Sequence, residues 1–196
     1  MKEKEEQRLI NLKQYECELR SKGYKYICGI DEAGRGPLAG PVVVASVIMP
    51  ENSMIEGVND SKKVSEKKRE KLYDLILSEA ISYGVGIIGQ DEIDEINILN
   101  ATKKGLTIAI KELEEKLEKQ NLKRPEVILV DALTGIDTLG IPYKSIIHGD
   151  AISYSIACAS IIAKVTRDRI MKQMDEIYPQ YGFAKHKGYG LSLIHI

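Results

Sequence analysis

The sequence predicts an α/β fold. Short apolar runs at 24–30, 41–49, 84–89, 126–130 and 143–147 are each bounded by glycine, proline or acidic residues, which is the pattern of strands. Segments with helical periodicity at 65–82, 98–120 and 151–178 are interleaved with the later runs. That alternation places helices against a sheet.

Each element has a local cause. Residues 3–20 are charged, with Leu9, Leu12 and Leu19 at helical spacing, and Gly23 stops the resulting amphipathic helix. Residues 24–30 form the first strand, and the glycine-rich stretch 34–40 turns the chain. Residues 41–49 are almost continuously apolar, so this second strand is buried on both faces and pairs with the first as a hairpin. Asn59-Asp-Ser-Lys-Lys63 is a turn, and Ser65 N-caps a helix to about residue 82 that carries Leu72, Leu75 and Ile76. The third strand follows at 84–89. Asp91 caps a short helix, and a longer one at 98–120 sets Leu99, Leu106, Ile110, Leu113 and Leu117 on one stripe. Pro125 precedes the fourth strand, which ends on Asp131; Pro142 precedes the fifth, followed by Gly149-Asp150. In the long helix at 151–178, the small residues Ala157 to Ala163 allow close approach to a sheet.

A chain of 196 residues suits one domain plus a small appendage: a helical extension at 1–22, a main domain at 23–190, and an atypical end at 191–196. The net charge of −1 lacks the basic excess of many nucleic-acid binders, but bases cluster at 62–71, 103–104, 164–172 and 185–187. No apolar run is long enough to cross a membrane, and the first eight residues lack the apolar core of a signal peptide. The three cysteines, Cys17, Cys28 and Cys158, form no CxxC pair. They read as reduced thiols of a cytoplasmic protein, not as disulfides or a zinc site. The sequence shows no repeats and no linker tract.

Asp31, Glu32, Asp131 and Asp150 each lie at or just beyond the end of an apolar run. Either Asp131 or Asp150 alone also reads as a turn residue, and Asp150 as the N-cap of the helix at 151. Ligand sites in α/β sheets gather at strand ends. If the strands are neighbours, four acids converge and repel unless divalent cations neutralise them. Two bound metals suit phosphoryl displacement, because they stabilise both the attacking and the leaving oxygen. Gly34 and Gly36 let the backbone approach a ligand, and Arg35 between them suits phosphate or sugar. A dinucleotide-binding loop is excluded, since a strand rather than a helix follows Gly40, and there is no GxxxxGK[ST] match.

The run Ile30-Asp-Glu-Ala-Gly-Arg-Gly-Pro-Leu-Ala-Gly-Pro-Val-Val resembles the opening motif of the ribonuclease HII family. The similarity continues through Asn59-Asp-Ser-Lys-Lys, Ile96-Asn-Ile-Leu-Asn-Ala-Thr, Val130-Asp-Ala, Gly149-Asp150, Ala159-Ser-Ile-Ile-Ala-Lys-Val-Thr-Arg-Asp-Arg169 and His186-Lys-Gly-Tyr-Gly190. It spans roughly residues 24–190. The resemblance implies a ribonuclease H-like fold: a central mixed sheet of five strands flanked by helices. It implies hydrolysis of RNA in RNA–DNA hybrids and incision of DNA 5′ of embedded ribonucleotides, leaving 3′-OH and 5′-phosphate ends, in DNA replication and repair. It further implies two Mg2+ or Mn2+ ions on Asp31, Glu32, Asp131 and Asp150. Gly34-Arg35-Gly36 is expected to contact the ribose 2′-OH, and Tyr189 to stack on the next sugar. Lys62, Lys164, Lys185 and Lys187 are candidates for phosphate contacts, with a solvated surface charge as the alternative for each, and His186 reads as a further phosphate donor or as a turn residue. Asp168 reads as an ion-pair partner. No obligate protein partner is implied, and a monomer is the default.

Two departures stand out. After Tyr189-Gly190 the family continues with a threonine and a helix, whereas this chain reads Leu191-Ser-Leu-Ile-His-Ile196, the expected sign of a truncated or non-native end. His148 stands where the family often has a lysine. The sister ribonuclease HIII type is disfavoured by Arg35 and the short N-terminal segment. A hybrid-binding protein without turnover is the remaining alternative, and a cleavage assay separates it from the enzyme.

Overall fold

A computed structural model describes residues 2–190, so the expectation for 191–196 lies outside the described residues. Five strands form one mixed sheet: β1 (Ile27–Ala33), β2 (Val42–Ile48), β3 (Ser82–Ile88), β4 (Val127–Asp131) and β5 (Tyr143–Ile146), in the order β3-β2-β1-β4-β5. β1 is central. It runs antiparallel to β2, as the hairpin reading expects, and parallel to β4, which pairs in turn with β5. Every residue of β2 is buried.

The helices are α1 (Glu3–Leu12), α2 (Gln14–Ser21), α3 (Glu66–Glu79), α4 (Gln90–Lys119), α5 (Gly149–Ile152), α6 (Tyr154–Ile177) and α7 (Phe183–His186). The alternation of β2 splits the core between the two sheet faces. Val43, Ala45 and Val47 meet α6, α3 and Leu9 and Leu12 of α1. Val44 and Ile48 meet Leu106, Ile110, Leu113 and Leu117 of α4 on the other face. Close approach depends on glycine: a Cβ on Gly29 of β1 would lie 2.2 Å from the carbonyl carbon of Ser155 in α6.

Several boundaries differ from the sequence reading. β1 begins at Ile27, not at 24, and continues through Asp31, Glu32 and Ala33, because its ladder with β2 runs on to the Ala33–Val43 pair. The helix expected at 3–20 breaks at Lys13, whose ammonium group leaves the helix to donate to Ser53 O at 2.9 Å. The helix expected at 151–178 breaks at Ser153 (φ −128°, ψ 128°), leaving α5 as a separate turn. Asn97 (φ 67°, ψ 163°) interrupts α4 where the sequence places a boundary, and its Oδ1 accepts from Leu99 N and Asn100 N. Ser65 sits at the N-cap of α3, but its hydroxyl makes no capping bond, and Gly89, not Asp91, precedes α4. Leu75 and Leu99 are largely exposed, outside the apolar stripes to which the sequence assigns them.

Candidate active site

The strand order gathers three acids. Asp31 lies on central β1 and Asp131 ends the neighbouring parallel β4, one residue beyond the Ile30–Val130 pair. Asp150 comes from α5. One carboxylate oxygen from each of Asp31, Asp131 and Asp150 lies within 4.8 Å of the others. Asp31 is 5% exposed and Asp150 6%, so little water shields this negative charge.

Local geometry explains the convergence. Asp131 Oδ1 accepts from Gly149 N at 2.7 Å, tying the chain after β5 to the end of β4. His148 is left-handed (φ 56°) and reverses the chain into α5, so Asp150 lies within that turn rather than at its N-cap. The break at Ser153 ends the turn. It is held by Glu16 of α2, whose Oε1 accepts from Ser153 Oγ (2.6 Å), Ser155 Oγ (2.6 Å) and Ser155 N (2.9 Å).

The electrostatics follow from burial and crowding. Burial raises the Asp31 carboxyl well above the usual range, with the Glu32 and Asp131 charges adding to the rise and a hydrogen bond from Ser160 opposing it. Burial also raises Glu32, against the pull of Arg35, whose Nη1 donates to Glu32 Oε1 at 3.1 Å. Asp150 is raised by burial, then by Asp60 and Asp131, and is drawn back by Lys62.

A cavity of about 270 Å3 opens over Asp31 and Glu32. Asp31 and Glu32 form its acidic side; Gly34, Arg35, Gly36 and Tyr189 form another wall; Ala33, Lys62, Lys164, Ser61, Ser160 and Arg167 complete it. Glu32 thus lines the same cavity but stands outside the three-carboxylate cluster, pointing its charge at Arg35. Tyr189 is 49% exposed, and its ring edge would lie 3.6 Å from a Cβ on Gly36. Lys62 is 80% exposed at its side chain and reaches to 4.0 Å from Asp150 Oδ2. Lys164 is tied to buried Asp168 at 2.6 Å, and Arg69 pairs with the same carboxylate at 3.3 Å, so Asp168 is the ion-pair partner expected.

The structure does not bring His186 and Lys187 into the cavity. His186 Nε2 lies 2.6 Å from Tyr181 O, and its Nδ1 accepts from Gly188 N, so both ring nitrogens serve their own turn. Lys187 is buried and donates to Ala184 O. Lys185 is exposed and also stands outside the cavity.

Sequence reasoning passes over three residues. Asp60 sits in the Asn59-Asp-Ser-Lys-Lys turn, accepts from Lys62 N at 2.9 Å, and presses on Asp150. Ser160 Oγ lies 2.9 Å from Ser61 Oγ beside Asp31. Arg167 is buried beside the glycine loop. All three fall inside the quoted motifs, the only signal that marks them.

The cluster fits a hard divalent cation. It offers only carboxylate oxygens, with no His or Cys in the group, and its raised acids carry repulsion that a cation relieves.

The family model described as ribonuclease HII matches residues 28–192. The chain is 56% identical over 189 residues to the ribonuclease HII of Acetivibrio thermocellus, covering 96% of this chain and 70% of that protein. The crystal structure of ribonuclease H2 from Pyrococcus horikoshii OT3 aligns with a TM-score of 0.68 at 27% identity, over 85% of this chain and 81% of that one. Ribonuclease HII of Archaeoglobus fulgidus, solved in complex with PCNA, aligns with a TM-score of 0.63 at 27% identity, over 84% and 80% of the two chains. The match that runs from β1 past Tyr189, and an identity above half over nearly the whole chain, place this chain in the ribonuclease HII family.

Proposed function

We propose that the chain is a metal-dependent endonuclease that hydrolyses RNA in RNA–DNA hybrids and incises duplex DNA on the 5′ side of an embedded ribonucleotide. The observation that carries this reading is the cluster of Asp31, Asp131 and Asp150, whose member Asp31 lines the cavity that Gly34, Arg35, Gly36 and Tyr189 also line. Family membership supports the substrate class.

Asp31, Asp131 and Asp150, with Glu32 beside them, would hold Mg2+ or Mn2+. Bound divalent ions supply charge neutralisation at the scissile phosphate and lower the cost of deprotonating water. The protein's own groups recognise the substrate. Gly34 and Gly36 expose backbone to the 2′-OH, the group by which RNA is told from DNA. Arg35 is pre-oriented by Glu32 at 3.1 Å. The exposed ring of Tyr189 offers a face for the following sugar, while Lys62 and Lys164 attract phosphates without reading sequence. The products would be 3′-OH and 5′-phosphate ends. Nucleic acid is the partner this reading assigns to the chain.

The test is cleavage of an end-labelled DNA duplex bearing one ribonucleotide, with Mg2+ or Mn2+, comparing the wild type with Asp31→Asn. Incision immediately 5′ of the ribonucleotide, abolished in the variant, is expected. Tight hybrid binding without cleavage by the wild type would instead establish a binding protein without turnover.

A further inference from the structure

Arg167 on α6 is 1% exposed, and no carboxylate pairs with its guanidinium among the described residues. Each of its three nitrogens donates to a backbone carbonyl instead. Nε donates to Pro41 O at 2.9 Å, Nη2 to Ala39 O at 2.9 Å, and Nη1 to Lys187 O at 2.8 Å. These carbonyls belong to two segments far apart in sequence: the loop between β1 and β2, and the turn that carries Tyr189. The same two segments touch directly, since Leu38 N and Ala39 N both donate to Gly188 O, at 2.9 and 3.3 Å. The loop closes around the guanidinium so tightly that a Cβ on Gly34 would lie 2.7 Å from Nε, and one on Gly40 3.2 Å from Nη2.

A buried cation with neutral partners is a costly way to fill a core, and an apolar side chain of similar volume fills it more cheaply. What an apolar side chain lacks is direction. The planar fork reaches three carbonyls at once and holds them at fixed separations, which a lysine ammonium on a flexible stem does not. Those separations set the distance between two cavity walls, Gly34–Gly36 and Tyr189. In the proposed function these walls meet consecutive sugars.

We propose that Arg167 is a positioning residue for substrate recognition: its guanidinium sets the spacing between the Gly34–Gly36 loop and Tyr189, and so the fit of the cleft to a ribose–deoxyribose step. This inference rests on the nuclease reading above. It assigns Arg167 no contact with the substrate and no part in holding metal.

The experiment measures kcat and KM on the single-ribonucleotide duplex for wild type, Arg167→Lys and Arg167→Ala. Mn2+ affinity is measured by calorimetry and folding by thermal melting. Arg167→Ala is repeated with free guanidinium ion far below denaturing concentrations, and with equal NaCl. The expected result is a KM raised about tenfold or more in both variants, Mn2+ affinity unchanged, and KM restored in Arg167→Ala by guanidinium but not by NaCl. If the wild type cleaves and the variants keep its KM, this inference fails while the nuclease reading stands. Loss of Mn2+ binding in step with KM, or failure of both variants to fold even with guanidinium, makes Arg167 part of the general scaffold and likewise overturns the inference. No cleavage by the wild type overturns the nuclease reading first, and the inference with it.

Discussion

Asp31 shows how the site trades stability for chemistry. Its carboxyl is raised well above its ordinary value of 3.8 by burial and by Glu32. Below that ordinary value the group is protonated in folded and unfolded chains alike, and no penalty exists. As pH rises, the unfolded chain ionises first, and the metal-free folded state loses stability until its own carboxyl ionises. Asp31→Asn removes the penalty, so in EDTA at neutral pH the variant should melt higher than wild type. A gain of about 1–2 kcal/mol corresponds to roughly 2–8 °C for a chain of this size. Calorimetry in EDTA checks this, and a lower Tm for Asp31→Asn would refute it. At this scale the three acids that cluster, Asp31, Asp131 and Asp150, were legible, because each lies at or just beyond the end of an apolar run where a charge is conspicuous. Arg167 and Ser160 were not legible, because what distinguishes them is their contacts: three carbonyls from distant segments, and a hydroxyl beside Asp31. The turn contacts of His186 and Lys187 were likewise hidden in the sequence, since turn carbonyls take up donors that the sequence leaves free.

Among the elements, the pairing of β1 with α6 sets the depth of the cleft. Gly29 lies against the backbone of the first turn of α6, where a Cβ would stand 2.4 Å from Ser155 O and 2.6 Å from Ile156 N. Backbone on a buried helix does not yield as a flexible side chain would. Gly29→Ala should therefore push α6 off the sheet and cost about 3 kcal/mol or more. Gly89, where a Cβ would meet nothing within 4 Å and φ is an ordinary −74°, is the control, and Gly89→Ala should stay within about 1 kcal/mol of wild type. Urea midpoints decide the matter, and equal midpoints for the two variants would sink the argument. The existence of all five strands and the main helices was legible from periodicity. The breaks at Lys13 and Ser153 were not, because the partners of the two side chains, Ser53 O for Lys13 and Glu16 for Ser153, lie elsewhere in the fold. The late end of β1 was hidden too, since charged Asp31 and Glu32 end the apolar pattern while the ladder with β2 continues.

At the level of the whole molecule, the N-terminal helices are built into the body that carries the site. Leu9 and Leu12 share a core with β2, α3 and α6, while Glu16 of α2 holds the break behind Asp150. The outer anchor is Glu5. Its carboxylate accepts from Arg8 Nε and Nη2 at 2.8 and 2.7 Å and from Gly57 N at 2.8 Å, and Arg8 Nη2 also donates to Val58 O. The Arg8 hydrogen bonds, aided by Gly57 N and opposed by partial burial, lower this carboxyl from 4.5 to about 2. A depressed carboxyl stabilises the fold above its unfolded value and loses that contribution as pH falls through the folded one. The docking of α1 should thus weaken between about pH 4.5 and pH 2. The raised acids of the cleft take up their protons earlier in the descent, above their ordinary values, and their repulsion fades there, so the site and the anchor respond to acid in opposite directions and in different windows. Hydrogen-exchange protection factors separate the two. Protection in α1 should fall across that window ahead of α6, and Glu5→Gln should show low α1 protection already at neutral pH, with little further change on acidification. Unchanged α1 protection down to pH 2 in the wild type, or an undiminished acid transition in Glu5→Gln, would show that Glu5 is not the anchor.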